Sequence, residues 1–131
     1  MTTIKRLPSP AMEDALRQSK LPRLPHMVRG FAEYSSATRQ LADHTVRNYI
    51  NDLVPLVEYV DEQNISSLGS VDRLFLRGYL AWLMSSGFSR SSVSRKLSAL
   101  KSFFRYLRLI GEIEIDQSDL VTGPKKAKKL P

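Results

Sequence analysis

The 131-residue sequence contains no cysteine, which excludes a disulfide framework and any thiolate metal site. Histidine is nearly as scarce. His26 and His44 stand far apart and outside any ligand-spaced cluster, so both read as structural rather than as metal ligands or general bases. No apolar run approaches the roughly 20 residues that cross a bilayer, and no apolar stretch follows the basic N-terminus as a secretory signal requires. A Gly-rich phosphate loop, a nucleophile elbow and a metal-ligand cluster are all missing. Asp52, Glu58, Asp61 and Glu62 lie at spacings expected of a solvated helix face. The expectation is a cytoplasmic, non-enzymatic chain with no cofactor, no small-molecule substrate and no membrane partner.

What the chain has is positive charge in one place. Its net charge is +7, from 20 basic and 13 acidic side chains. Residues 71–111 hold Arg73, Arg77, Arg90, Arg95, Lys96, Lys101, Arg105 and Arg108 against Asp72 alone, so this stretch carries as much net charge as the whole chain. Such a concentration points to a polyanionic partner. With 42% hydrophobic residues the chain can also bury a core.

Residues 1–25 contain Pro8, Pro10, Pro22 and Pro25 and read as a mobile arm. From there the periodicity is helical. A first helix is expected over about residues 26–39, with Met27, Phe31, Tyr34 and Thr38 on one face. A second starts near Asp43 or His44 and carries Val46, Ile50, Leu53, Val57 and Val60; Pro55 should bend it without ending it. Residues 63–70 read as a linker. A third helix, capped by Ser70 or Asp72, buries Leu76, Leu80, Leu83 and Met84 and stops at Gly87. Ser89 caps a fourth, whose stripe Val93, Leu97, Leu100, Phe104 and Leu107 ends before Gly111. Residues 112–121 can form a short strand or turn, and the close, GPKKAKKLP, reads as an extended basic linker. The boundaries are therefore an arm at 1–25, a helical domain at 26–116 and a linker at 117–131, in an all-α bundle of four to five helices.

The fourth helix is the most informative element. Opposite its apolar stripe lie Arg95, Ser98, Lys101, Ser102, Arg105 and Arg108, extended at the N-terminal end by Ser91, Ser92 and Lys96. A plain surface helix mixes in Glu for i,i+4 pairing, yet residues 89–110 contain no acid. Arg and Lys neutralise phosphates, small Ser residues permit close approach, and an Arg fork can read guanine. At the start of the second helix, Thr45, Arg47 and Asn48 are a weaker candidate set, equally suited to capping and an ordinary surface. Trp82 and Tyr34, Tyr49 and Tyr106 read as core or core rim.

The residues from Phe31 to Pro131 resemble the core-binding, SAM-like N-terminal domain of tyrosine recombinases and phage integrases, most closely the Xer type. The likeness runs through Phe31 and Tyr34, Leu41, Thr45 with Tyr49, Asp52-Leu53 and Tyr79-Leu80-Ala81 to the Gly87–Ser89 turn. Its most specific block is the run SVSRKLSALKSFFRYL, Ser92 to Leu107. Gln117-Ser118-Asp119 departs from the family's usual Asn-Pro, as do Pro55 and the Pro-rich arm. The resemblance implies orthogonally packed helices that form a clamp on duplex DNA with a catalytic domain, and sister protomers in a tetramer. It implies recognition of one half of a recombination site through Thr45, Arg47, Asn48, Ser91, Ser92, Arg95, Lys96, Ser98, Lys101 and Arg105. The family's catalytic Arg, Lys, His and Tyr belong to a domain expected after Pro131, so no tyrosine here inherits the nucleophile's role. The alternative is a helical interaction module that binds an acidic partner or mediates assembly.

Overall fold

The computed structural model describes residues 23–38 and 43–124. The expectations for residues 1–22 and for the basic run at 125–131 lie outside the described residues. Among the described residues the structure is four α-helices and two short 3-10 turns, with no strand. The helices are α1 (Arg23–Thr38), α2 (Asp43–Glu62), α3 (Arg73–Ser85) and α4 (Arg90–Leu109); the turns are Leu68–Ser70 and Gln117–Leu120.

Local chemistry sets the helix ends. The Asp72 carboxylate accepts from the Phe75 amide at 2.9 Å, and the Ser89 hydroxyl accepts from the Ser92 amide at 3.1 Å. Each satisfies one of the orphan donors of a first turn. Gly87, at φ +99°, follows α3 in the left-handed region that glycine enters without penalty, and the Phe88 amide closes the turn on the Leu83 carbonyl. α1 begins at Arg23, three residues earlier than the periodicity indicated, so the packed domain includes Leu24 and Pro25 from the presumed arm. Proline is admissible there because first-turn amides have no intrahelical acceptor. Within α2, Pro55 removes the donor to the Asn51 carbonyl, yet the helix is continuous across it.

α2 packs on α1 and α4, α1 also reaches α4, and α3 lies against α4. The five apolar positions read for α2 and the five read for α4 are all buried. On α3, Met84 is exposed rather than buried as its spacing suggests, and Tyr79 takes its place in the core. Aromatic rings form two clusters. Phe31 stands 5.6–5.7 Å from the rings of Tyr49, Phe103 and Tyr106. Tyr59 stands 5.0–5.5 Å from Phe75, Tyr79 and Trp82.

The domain also runs further than residue 116. The Asp116 carboxylate caps the turn Gln117–Leu120 by accepting from the Ser118 amide at 3.0 Å, and it also accepts from the Ser118 hydroxyl. Ser118 and Val121 are buried, and this turn packs on α3 and α4. Residues 117–121 are thus part of the folded unit rather than the start of a linker, and the segment from 112 to 121 holds a 3-10 turn and no strand. Arg23 of α1 forms an ion pair with Glu112, just beyond α4.

Candidate nucleic-acid interface

One side of α4 is its packing face, so its remaining residues define the surface available to a partner. Ser91, Arg95, Ser98, Arg105 and Arg108 are exposed, and Ser92, Ser94, Lys101 and Ser102 flank them half-buried. At about 1.5 Å per residue this edge is roughly 30 Å long. It carries cations and hydroxyls only. Cations and hydroxyls are the groups that bond phosphate oxygens, and an Arg fork suits paired acceptors on a base edge.

The start of α2 contributes Asn48, exposed, with Thr45 and Arg47 half-buried. Asn48 stands one helical turn before Asp52, so the two share a face. That face meets α4 at a three-residue cluster. Arg95 Nε donates to both carboxylate oxygens of Asp52 at 3.1 Å, and Lys96 Nζ donates to Asp52 Oδ1 at 3.0 Å. The cluster ties the Asn48 side of α2 to the N-terminal half of α4.

Two sequence expectations change here. Asp52 is not on a solvated face: it is 3% exposed, held between two cations. Lys96 is not on the polar edge: it is 6% exposed, with its ammonium 4.8 Å from the centre of the Phe88 ring. The register contained the signal for Lys96, which follows Val93 by three residues and precedes Leu100 by four, inside the apolar stripe. Only the Asp52 carboxylate makes that position tolerable, and no local pattern reveals a partner 44 residues away. Arg95, by contrast, keeps 60% of its side chain in solvent while it touches Asp52.

A second surface feature lies at the other end of α4, an open groove of about 730 Å³ lined by Phe31, Tyr34, Ser102, Arg105, Tyr106, Arg108 and Leu109. Burial, with Glu33 and Glu112 nearby, raises the Tyr106 phenol above its ordinary value. Among the described residues no three His, Asp or Glu side chains gather as a metal site, and no helix is long and apolar enough to cross a membrane.

Known proteins share this sequence pattern. The family model for the phage integrase N-terminal SAM-like domain matches residues 28–110. Tyrosine recombinase XerC of Halalkalibacterium halodurans is 36% identical over 104 residues, covering 79% of this chain and 34% of the relative. Tyrosine recombinase XerC of Natranaerobius thermophilus is 33% identical over 102 residues, covering 77% and 34%. Tyrosine recombinase XerC of Staphylococcus aureus is 30% identical over 106 residues, covering 81% and 35%. The chain spans about a third of the length of these relatives, and what it matches is their N-terminal domain rather than a catalytic one. No solved structure matches it significantly. The all-α packing, the family match and the relatives agree: this chain belongs to the phage-integrase SAM-like family, the N-terminal domain of tyrosine recombinases.

Proposed function

We propose that this domain binds duplex DNA, gripping one half of a recombination site, and that the parent protein is a site-specific tyrosine recombinase acting in integration or chromosome-dimer resolution. The observation that carries the reading is the acid-free exposed edge of α4, joined to the Asn48 face of α2 at Asp52. Thr45, Arg47, Asn48, Ser91, Ser92, Arg95, Ser98, Lys101 and Arg105 are the proposed contacts. Lys96 leaves that set as a direct contact, because its ammonium is spent on Asp52. Relatives named as tyrosine recombinases support the same reading.

Binding of this kind releases counterions, so affinity should fall steeply between about 50 and 200 mM salt. A gel-shift titration of the chain on random-sequence duplex at these two salt concentrations tests it. Replacing both Arg95 and Lys101 by Ala should weaken binding and leave the helical circular dichroism unchanged. Parent-like binding by that double variant would remove α4 from the interface.

A second reading, contact with sister protomers, is favoured by a different observation. Leu109, Ile110, Ile115 and Leu120 expose large apolar side chains at and beyond the C-terminal end of α4. Self-association in sedimentation velocity, with and without duplex, would separate the two roles.

A further inference from the structure

We infer that Asp52 and Lys96 form a positioning device for Arg95, one that fixes its guanidinium and leaves its terminal fork charged and free for a pair of acceptor atoms on DNA. The inference rests on the DNA-binding reading of the preceding subsection and goes beyond it in assigning work to two residues that touch no DNA.

The geometry separates the parts of the guanidinium. Arginine has five N–H donors: one on Nε and four on the terminal amino groups. Asp52 takes the Nε donor with both of its oxygens. Among the described residues the terminal amino groups make no hydrogen bond, and the side chain is largely in solvent. The end of the guanidinium that recognises paired acceptors is therefore the end left open. A carboxylate on Nε also restricts the side-chain torsions, so less rotamer entropy remains to be lost when a ligand docks.

Charge accounts for Lys96. A lone carboxylate beside Arg95 would cancel its charge and repel the phosphate backbone. Lys96, sealed between Asp52 and the Phe88 ring, neutralises the carboxylate from the buried side. The cluster of three retains one positive charge, and the exposed one is Arg95. Burial of Lys96 and exposure of Arg95 on consecutive residues of one helix follow from the 100° step between them.

Paired acceptors on DNA come from two sources, the O6 and N7 atoms of guanine and the oxygens of a phosphate. A rigid guanidinium suits either. The experiment distinguishes them.

The 131-residue chain is incubated with a pool of duplexes carrying a randomised central segment, and the bound fraction is sequenced alongside affinity measurements. The double variant Asp52→Asn/Lys96→Met removes one charge of each sign, so its net charge equals that of the parent and no buried charge is stranded. With parent-like helicity and thermal midpoint, it should lose about tenfold or more in affinity for the selected duplexes, as Arg95→Ala does. Adding Arg95→Ala to it should cost little more, since the three residues act as one unit. A guanine contact shows as loss of one G position from the selected sequences; a phosphate contact shows as a loss uniform across the pool. Either supports the device. Parent-like binding by the double variant, or losses that add fully to those of Arg95→Ala, overturns it.

Should the double variant not fold, Arg95→Lys carries the test alone. It keeps the charge, lacks the fork and leaves the buried pair intact. A loss matching Arg95→Ala supports the device, and parent-like affinity overturns it. If the parent itself retains no duplex at 50 mM salt, the DNA-binding reading fails first, an outcome distinct from a device failure in a parent that binds.

Discussion

Gly30 of α1 lies directly under Tyr106 of α4: a Cβ at position 30 would stand 2.6 Å from the phenol oxygen, closer than real contacts allow. The α1–α4 contact therefore depends on a residue without a side chain. The Tyr106 ring cannot easily yield, because the rings of Phe31 and Tyr34 pack against it at 5.7 and 5.2 Å.

Gly30→Ala should accordingly destabilise the domain by about 1–3 kcal/mol, the usual cost of overpacking. In an uncrowded helix interior the same change would help by roughly 0.5–1 kcal/mol. Tyr106→Phe removes the obstructing oxygen and leaves the nearest ring carbon at 3.6 Å, an ordinary contact. The pair Gly30→Ala/Tyr106→Phe should thus be at least as stable as the parent. Urea unfolding of the two single variants and the pair checks this; a pair as unstable as Gly30→Ala would place the strain elsewhere.

Tyr79 offers a prediction about pH. It is fully buried on α3, its hydroxyl has no hydrogen-bond partner among the described residues, and burial with Asp52 and Glu58 nearby raises its phenol far above the ordinary value of 10.0. In the unfolded chain the phenol ionises near 10.0, whereas the folded state keeps its proton. The unfolded state then binds fewer protons, so stability present below pH 10 is lost as pH rises, by about 1.4 kcal/mol per unit from this group. Tyr79→Phe should flatten the fall in stability between pH 10 and 11.5 by that amount. At pH 7 it should be neutral or stabilising by up to about 2 kcal/mol, since an unsatisfied buried hydroxyl is removed. Denaturant titrations at pH 7, 10 and 11.5 provide the comparison.

The C-terminal boundary can be tested by truncation. Val121 is 2% exposed and Ser118 is fully buried. The comparison is between a chain ending at residue 124 and one ending at residue 116. The shorter should be less stable by about 1.5–3 kcal/mol, the scale of burying one Val-sized side chain. Equal stability of the two would return residues 117–121 to the linker.

These cases show what was readable and what was not. The stripe of α4, from Val93 to Leu107, and the Ser89 cap rest on neighbours within one or two turns, so their spacing alone placed them; for α3 the spacing left Ser70 and Asp72 open, and the structure has Asp72 as the cap. The exposed row Arg95, Ser98 and Arg105 followed from the same periodicity. Spacing alone does not resolve Lys96, Asp52, Gly30 and Val121, because each answers to a distant residue: Lys96 and Asp52 to each other, Gly30 to Tyr106, and Val121 to the packing of its 3-10 turn on α3 and α4. The start of α1 was misplaced for a local reason, since Pro25 reads as a breaker until it is recognised as a first-turn residue. The acid-free basic face of residues 89–110 pointed to nucleic acid by itself, and the family resemblance narrowed that to one half of a recombination site.

The buried ion pair yields the last prediction, in stability rather than binding. Asp52 and Lys96 are both almost fully enclosed, whereas Arg95 is in solvent. Asp52→Ala strands the Lys96 ammonium against an aromatic ring alone, and removing one partner of such a pair costs about 3–5 kcal/mol. Lys96→Met leaves the carboxylate with Arg95 as a partner, whose exposed guanidinium can follow it, so the loss should be smaller, about 1–2 kcal/mol. Removing both charges, as in Asp52→Asn/Lys96→Met, should cost least, because no desolvated charge remains. The order of urea midpoints is therefore Asp52→Ala lowest, Lys96→Met intermediate and the double variant nearest the parent. Equal midpoints for the two single variants would mean that the Lys96 ammonium escapes to water when its partner is removed. The pair would then be a surface contact in energetic terms, and the cluster would hold Arg95 in place without contributing measurably to the fold.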